Sequence, residues 1–260
     1  MKILLLLLSC LPCCAQFASI SDQPFLGRLP TASGYTDPSG ANALYAWWVS
    51  SDLSVGIGLN TNSWNDRIAA KKIWAYDTTV TNSGSGVDLQ QSGDRTMSLT
   101  NETALTAGTN QTLCIITYPR IITDGIYPRL LYGPWDLGDS TQNNAATHGG
   151  IVFEKTGAMD WGTAFTGGPQ IATIPAVSNL YDFVLVQSNS TAYFYTNGTL
   201  STSFSRTPPA NGYPWKFLGD ETSAARAYVG LIREVLVWSN NLSFLQVSNV
   251  HRYRTNTYGL

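Results

Sequence analysis

Short runs of β-branched and aromatic residues recur along the chain, and clusters of Gly, Pro, Asn or Asp separate them. NALYAWWVS, TLCIITY, RLLY, GIVFEK, YDFVLVQ, TAYFYTNGTLSTSF and GLIREVLVWS all carry this signature, which predicts strands bounded by turns. Helical periodicity is nearly absent. Asn197-Gly198 stands between Tyr193 to Tyr195 and Thr199 to Ser203. That dipeptide accepts positive φ at both corners of a tight turn, so these two runs are read as a hairpin.

In GLIREVLVWS, Leu231, Arg233, Val235 and Val237 alternate with Ile232, Glu234, Leu236 and Trp238. Both sets mix apolar and charged residues, the pattern of an interior strand covered on both faces. After it, Ser243 is placed to cap a short helix carrying Phe244, Val247, Val250 and His251 at helical spacing. Tyr258 and Leu260 supply the tail with side chains for docking. Many short strands with regular turn signals and no alternating helices predict an all-β fold, a two-sheet antiparallel sandwich.

Organisation follows from the ends of the chain. Met1-Lys2, the apolar run Ile3 to Leu8 and the small residues near Cys13-Cys14-Ala15 read as a signal peptide over 1–15, cleaved after Ala15. The run is too short for a membrane span, which needs roughly 20 apolar residues. Lipid attachment at Cys10 is the rival reading of the same segment. Gln16 to Ala41, with Pro24, Pro30 and Pro38, reads as an irregular lead-in, and 42–260 as one sandwich domain. Cleavage after Ala15 leaves Cys114 as the one cysteine of the mature chain, a small buried thiol within TLCIITY.

Composition narrows the partners. The 260 residues are 43% hydrophobic and 12% charged, with a formal net charge of −2. No basic cluster exists to follow a phosphate backbone, so nucleic acid is excluded as the expected partner.

The closing run YVGLIREVLVWSNNLSFLQVSNVHRYRTNTYGL resembles the end of laminin-G-like, concanavalin-A-like jelly-roll domains of secreted microbial proteins. The matching places are held by Gly230, Ile232, Glu234, Val235, Leu242, Ser243, Tyr253 and Tyr258-Gly259-Leu260. YFYTNGTL is similar to the family's hairpin, and SWNDR, Ser63 to Arg67, to its early Trp-x-Asp turn, so the resemblance spans about Leu44 to Leu260. Arg254 stands where the family usually has an apolar residue, and Ile68-Ala69 replaces the usual Ser-Gly after the turn. The resemblance implies a jelly roll of a kind that carries lectins, adhesive modules, structural parts and hydrolases alike. It also implies that calcium is a possible ligand, although no compact acidic loop identifies a site.

Catalytic signatures are weak. Hydrolases of this fold class display a Glu-x-Asp-x-Glu strand that places two carboxylates on one face. The chain has four glutamates, Glu102, Glu154, Glu221 and Glu234, and no two are close in sequence. Nucleophile elbows, paired-histidine zinc helices and phosphate loops are missing from the sequence, and His148 and His251 have no marked partners. The expectation is a non-catalytic module that recognises a glycan or an extracellular surface protein; a structural subunit of a surface assembly and a hydrolase without the usual motif are the alternatives.

Sugar sites combine an aromatic plate with Asp and Asn hydrogen-bonding groups. Of eight tryptophans, Trp47, Trp48, Trp74 and Trp238 fall in strand-like runs and read as core, and Trp64 as support for its turn. RLLY and GIVFEK predict an antiparallel pair with a long excursion between them, after which the chain returns through Met159-Asp160-Trp161. This brings Trp135, Asp136, Asp139, Asn143, Asn144 and Trp161 to one end as the candidate ligand site, unless Trp135 merely plugs the rim. Asn101, Asn110, Asn189, Asn197 and Asn241 each open an Asn-x-Ser/Thr sequon.

Overall fold

The computed structural model describes residues 35–59, 63–68, 71–75, 80–89, 97–99, 110–121, 129–134, 150–153, 158–162, 170–174, 179–205, 215–217 and 228–259. The expected signal peptide, most of the lead-in, Trp135, Asp136, Asp139, Asn143, Asn144, His148 and Leu260 lie outside the described residues.

Strands run in chain order as β1 (Leu44–Val49), β2 (Trp64–Asn65), β3 (Lys72–Ala75), β4 (Thr81–Asn82), β5 (Val87–Leu89) and β6 (Met97–Leu99). Then come β7 (Asn110–Ile121), β8 (Arg129–Pro134), β9 (Gly150–Phe153), β10 (Ala158–Gly162) and β11 (Gln170–Thr173). Last are β12 (Tyr181–Ser188), β13 (Thr191–Thr196), β14 (Thr199–Ser205), β15 (Trp215–Phe217), β16 (Val229–Trp238) and the helix α1 (Phe244–Tyr258). The first sheet is ordered β14-β13-β12-β7-β16-β5-β4, with β1 also on β16 beside β5. The second is ordered β11-β10-β9-β8-β15-β6-β3-β2. Every described pairing is antiparallel, so the architecture is the expected all-β sandwich with a C-terminal helix.

Two apolar layers explain the composition of the strands. Trp48, Leu113, Ile115, Phe183, Leu185, Val235 and Val237 of the first sheet meet Ile73, Ile151, Met159 and Ile171 of the second. The other face of the first sheet, through Trp47, Cys114, Ile116, Val184, Val186, Leu236 and Trp238, packs on Val247 and Val250 of α1. A sheet covered on both faces needs side chains for both, which is why YDFVLVQ is buried at every position.

The expected alternation in β16 fails at one point. Its register on β7 slips between Ile232 and Glu234, so that Arg233 is an extra residue. The bulge turns Ile232 to the inter-sheet core with Val235 and Val237, while Leu236 and Trp238 face the helix. Alternation read without the bulge puts Ile232 on the wrong side.

The Asn-Gly hairpin forms as expected, with Asn197 at φ 52 and Gly198 at φ 72. Ser243 caps α1 in a reciprocal box, its hydroxyl accepting from Gln246 N while Gln246 Oε1 accepts from Ser243 N at 2.8 Å. Gly259 ends the helix in the left-handed region. The helix has 15 residues and reaches Tyr258, longer than expected. Phe244 is not on the docked stripe: it is 63% exposed. Val247, Val250 and Arg254 form that stripe instead.

Tyr35 to Ala41, read as lead-in, carries buried groups. Asp37 accepts hydrogen bonds from Trp238 Nε1 at 2.9 Å, Ser39 N at 2.8 Å and Ser39 Oγ at 2.7 Å. Trp64 does more than prop a turn: it is buried in the inter-sheet core and donates from Nε1 to Val49 O at 3.0 Å. Asp66 closes the turn, accepting from Ile68 N and Lys71 N.

Candidate functional site

The end of the second sheet is fixed by three ladders that share β8 or β9. Tyr132 lies opposite Ile151, so β8 and β9 are antiparallel, and the end of β8 at Pro134 and the start of β9 at Gly150 share one end of the sheet. On β10, Trp161 lies opposite Ile151 and Gly162 opposite Gly150, which brings Trp161 back to that same end. On the other flank of β8, Trp215 lies opposite Pro134. The backbone thus gathers the two stems of the excursion, Trp161 and Trp215 at one rim. Trp161 stands in register with a residue of the inter-sheet core, and the remaining proposed ligand residues, Trp135, Asp136, Asp139, Asn143 and Asn144, lie outside the described residues. Asp160, beside Trp161, is partly buried, and this burial holds its carboxyl above the usual aspartate range.

Other polar groups that the sequence left unassigned are brought together under α1. Glu234 is fully buried and accepts from Trp47 Nε1 at 2.7 Å, from Tyr253 OH at 2.9 Å and from Tyr258 OH. Burial raises its carboxyl above the ordinary glutamate value, and the three donors offset only part of that rise. Arg67 lies 4.9 Å from the Trp47 ring centre and 5.2 Å from that of Tyr35, and pairs with Asp52 through two contacts of 2.6 Å. Asp182 Oδ2 faces His251 Nδ1 at 2.7 Å and Arg254 Nε at 2.9 Å, while its Oδ1 accepts from Gly198 N at 3.1 Å.

These arrangements hold elements together. The Glu234 cluster ties β16 to both β1 and the end of α1. The Asp182 cluster ties β12 and the hairpin corner to the middle of the helix. Asp88 is likewise occupied, by Arg120 at 2.7 Å. Sequence reading named Arg254 only as a departure and His251 only as a helix residue without a marked partner. The available signal was the charge itself: Asp182 and Glu234 each interrupt an apolar run that is buried on both faces, and a buried carboxylate requires partners.

Among the described residues, no group of three or more His, Cys, Asp or Glu side chains is placed to hold a metal ion. None of the described helices is long and apolar enough to cross a membrane.

No protein-family model matches the chain, and no curated protein matches it in sequence. Solved structures do resemble it. A Trypanosoma rangeli sialidase in complex with 2,3-difluorosialic acid superposes with TM-score 0.62 at 12% identity, over 85% of this chain and 34% of the sialidase. Domain 4 of AbnA, a GH43 extracellular arabinanase from Geobacillus stearothermophilus solved with arabinotriose, gives 0.54 at 13% identity, over 80% of this chain and 98% of that domain. The binding domain of botulinum neurotoxin serotype D gives 0.54 at 13% identity, over 82% and 52%. The chain therefore spans about a third of the sialidase's length. At these identities the likeness establishes the architecture alone, a β-sandwich.

Proposed function

We propose that the chain is a secreted, non-catalytic carbohydrate-binding or adhesive domain of the laminin-G-like, concanavalin-A-like kind. Its ligand sits at the rim crossed by residues 135–149, with Trp135 and Trp161 as aromatic plates and Asp136, Asp139, Asn143 and Asn144 as hydrogen-bonding groups. The observation that carries this reading is the shared register of β8, β9, β10 and β15, which converges on one rim. The arabinanase domain adds support, because nearly its whole length is matched and it was solved with an oligosaccharide.

The non-catalytic part rests on how the buried carboxylates are used. Asp37, Asp88, Asp182 and Glu234 are each engaged by structural donors, which leaves them poorly suited to act as nucleophile or acid.

Screening the purified chain on a glycan array, with size-exclusion chromatography alongside, tests the proposal. Trp135→Ala should lose binding with little change in melting temperature, and Trp161→Ala, in register with the core residue Ile151, should lose binding when compared at matched folded concentration. Equal binding by wild type and both variants removes this rim as the site. Polymers without glycan binding favour a structural subunit, and release of reducing sugars from a polysaccharide favours an enzyme.

A further inference from the structure

The sequons are scattered in sequence, but three of them meet in space. Asn110 opens β7 opposite Ser188 at the end of β12. Asn189, at φ 52, turns the chain from β12 into β13. Asn241 lies in the link from β16 to α1. Asn189 N donates to Asn110 Oδ1 at 3.3 Å across 79 positions of sequence, and Asn241 Nδ2 donates to Ser188 Oγ at 3.2 Å across 53. All three asparagines are exposed. Their sequons end in Thr112, Thr191 and Ser243, and none contains proline.

We propose that Asn110, Asn189 and Asn241 are N-glycosylation sites forming one glycan cluster on this rim of the first sheet, and that the sequon at Asn197 stays bare. The inference rests on the reading of the chain as secreted.

In the folded protein two of the sequon hydroxyls are already engaged. Thr112 Oγ1 donates to Asn240 O at 2.9 Å and accepts from Leu242 N at 3.0 Å, and Ser243 caps the helix. Sugar transfer therefore precedes folding, on an extended chain. The donor is an oligosaccharide linked to a polyprenyl diphosphate. A bond forms between Asn Nδ2 and the anomeric carbon, the bond from that carbon to the diphosphate oxygen breaks, the diphosphate leaves with the electron pair, and Nδ2 gives up one proton to the transferase.

Folding then decides which modified asparagines are tolerated. An exposed amide on a rim carries a bulky hydrophilic chain without displacing anything. Asn197 differs, because its Oδ1 accepts from Asp182 N and from Arg254, each at 3.2 Å. Its neighbour Gly198 sits so close to α1 that an added Cβ would come within 2.8 Å of His251. A glycan there would have to leave between the hairpin corner and the helix, so a chain modified at Asn197 would not close.

The test is expression in a eukaryotic secretory cell line of the Asn101→Gln chain in two forms, one with residues 1–15 and one with a proven signal sequence placed before Gln16. Digestion in heavy-oxygen water with a peptide-N-glycosidase, an amidase that turns each occupied asparagine into an aspartate carrying one heavy oxygen, followed by peptide mass spectrometry, marks each occupied position. The expected result is occupancy at Asn110, Asn189 and Asn241 and none at Asn197, with one mobility step lost in each of N110Q, N189Q and N241Q and none in N197Q. Secreted folded protein without any peptide-N-glycosidase-sensitive step overturns the proposal, as does occupancy of Asn197 with the rim positions bare. Export of the second form alone would remove the native leader as a signal while leaving the glycosylation result intact.

Discussion

Arg254 Nε stands 2.9 Å from Asp182 Oδ2, with the two side chains at 5% and 0% of full exposure. The contact joins the one α-helix among the described residues to an interior strand of the first sheet. Arg254 also donates from its NH1 group to Leu180 O at 2.7 Å and to Asn197 Oδ1 at 3.2 Å. One guanidinium therefore fixes the start of β12, the hairpin corner and the helix in a single register. A buried charge left without its partner is far more costly than the pair, so the helix has one favourable way to dock.

Arg254→Met should be strongly destabilising, by about 3–5 kcal/mol, because it leaves the Asp182 carboxylate buried without its main counter-charge. Asp182→Asn combined with Arg254→Met should cost less than the sum of the two single changes, since neither charge then remains. Urea unfolding of the four proteins measures this coupling. Strict additivity would mean that the ion pair contributes nothing as a pair.

Glu234 gives the fold a pH dependence of definite sign. Its folded carboxyl lies above the ordinary value of 4.5, mainly through burial. The folded chain therefore holds a proton there more tightly than the unfolded chain does. The resulting stabilisation is fully present below the unfolded value and is lost as pH rises through the folded one. Glu234→Gln removes this titration. Between about pH 4.5 and neutrality, wild-type urea midpoints should fall relative to those of E234Q, and a constant difference across that range would contradict the assignment.

Cys114 is fully buried between Val184 and Leu236, and desolvation holds its thiol well above the usual range. Access and ionisation are both suppressed, and the thiolate is the reactive form. A thiol reagent should label the native protein at the rate of unfolding and the denatured protein at once. Rapid native labelling, or a dimer lost on reduction, would place the side chain elsewhere.

Much of this fold was legible in the sequence because its strands are short, apolar and punctuated. The Asn197-Gly198 hairpin and the Ser243 cap are local devices, set by backbone conformation and by one hydroxyl. The bulge at Arg233 was not legible, since a slip of register leaves the composition of the strand unchanged. The partners of Asp182 and Glu234 were hidden for another reason: they come from residues 69 and 19 positions away along the chain, as in His251 on Asp182 and Tyr253 on Glu234. At the candidate site, the antiparallel return of β8 to β9 and the arrival of Trp161 at that rim followed from turn positions. The residues proposed as ligand groups within 135–149 belong to a segment with no strand pattern, where sequence supplies chemistry without geometry.

The same long-range partners make the C-terminal segment structural. Tyr253 and Tyr258 bring two hydroxyls to Glu234, and Tyr253 packs edge-on against Trp47 with ring centres 5.9 Å apart. Deleting Tyr253 to Leu260 strips Glu234 of both hydroxyl donors and Asp182 of Arg254, and uncovers apolar surface on the first sheet. Each large apolar side chain so exposed forfeits roughly 1.5–3 kcal/mol, and the total stability of a domain is typically only about 5–15 kcal/mol. The truncated chain should be insoluble or should lose its near-ultraviolet circular dichroism. Tyr253→Phe with Tyr258→Phe isolates the polar contribution, because it keeps the rings and removes only the hydroxyls. Each hydroxyl lost from a buried carboxylate should cost about 1.5–3 kcal/mol at neutral pH, and less under acid conditions where Glu234 is protonated. Truncation without any change in melting would show that α1 ends as a surface appendage, and a double Phe variant equal to wild type at neutral pH would show that Glu234 does not depend on the tail.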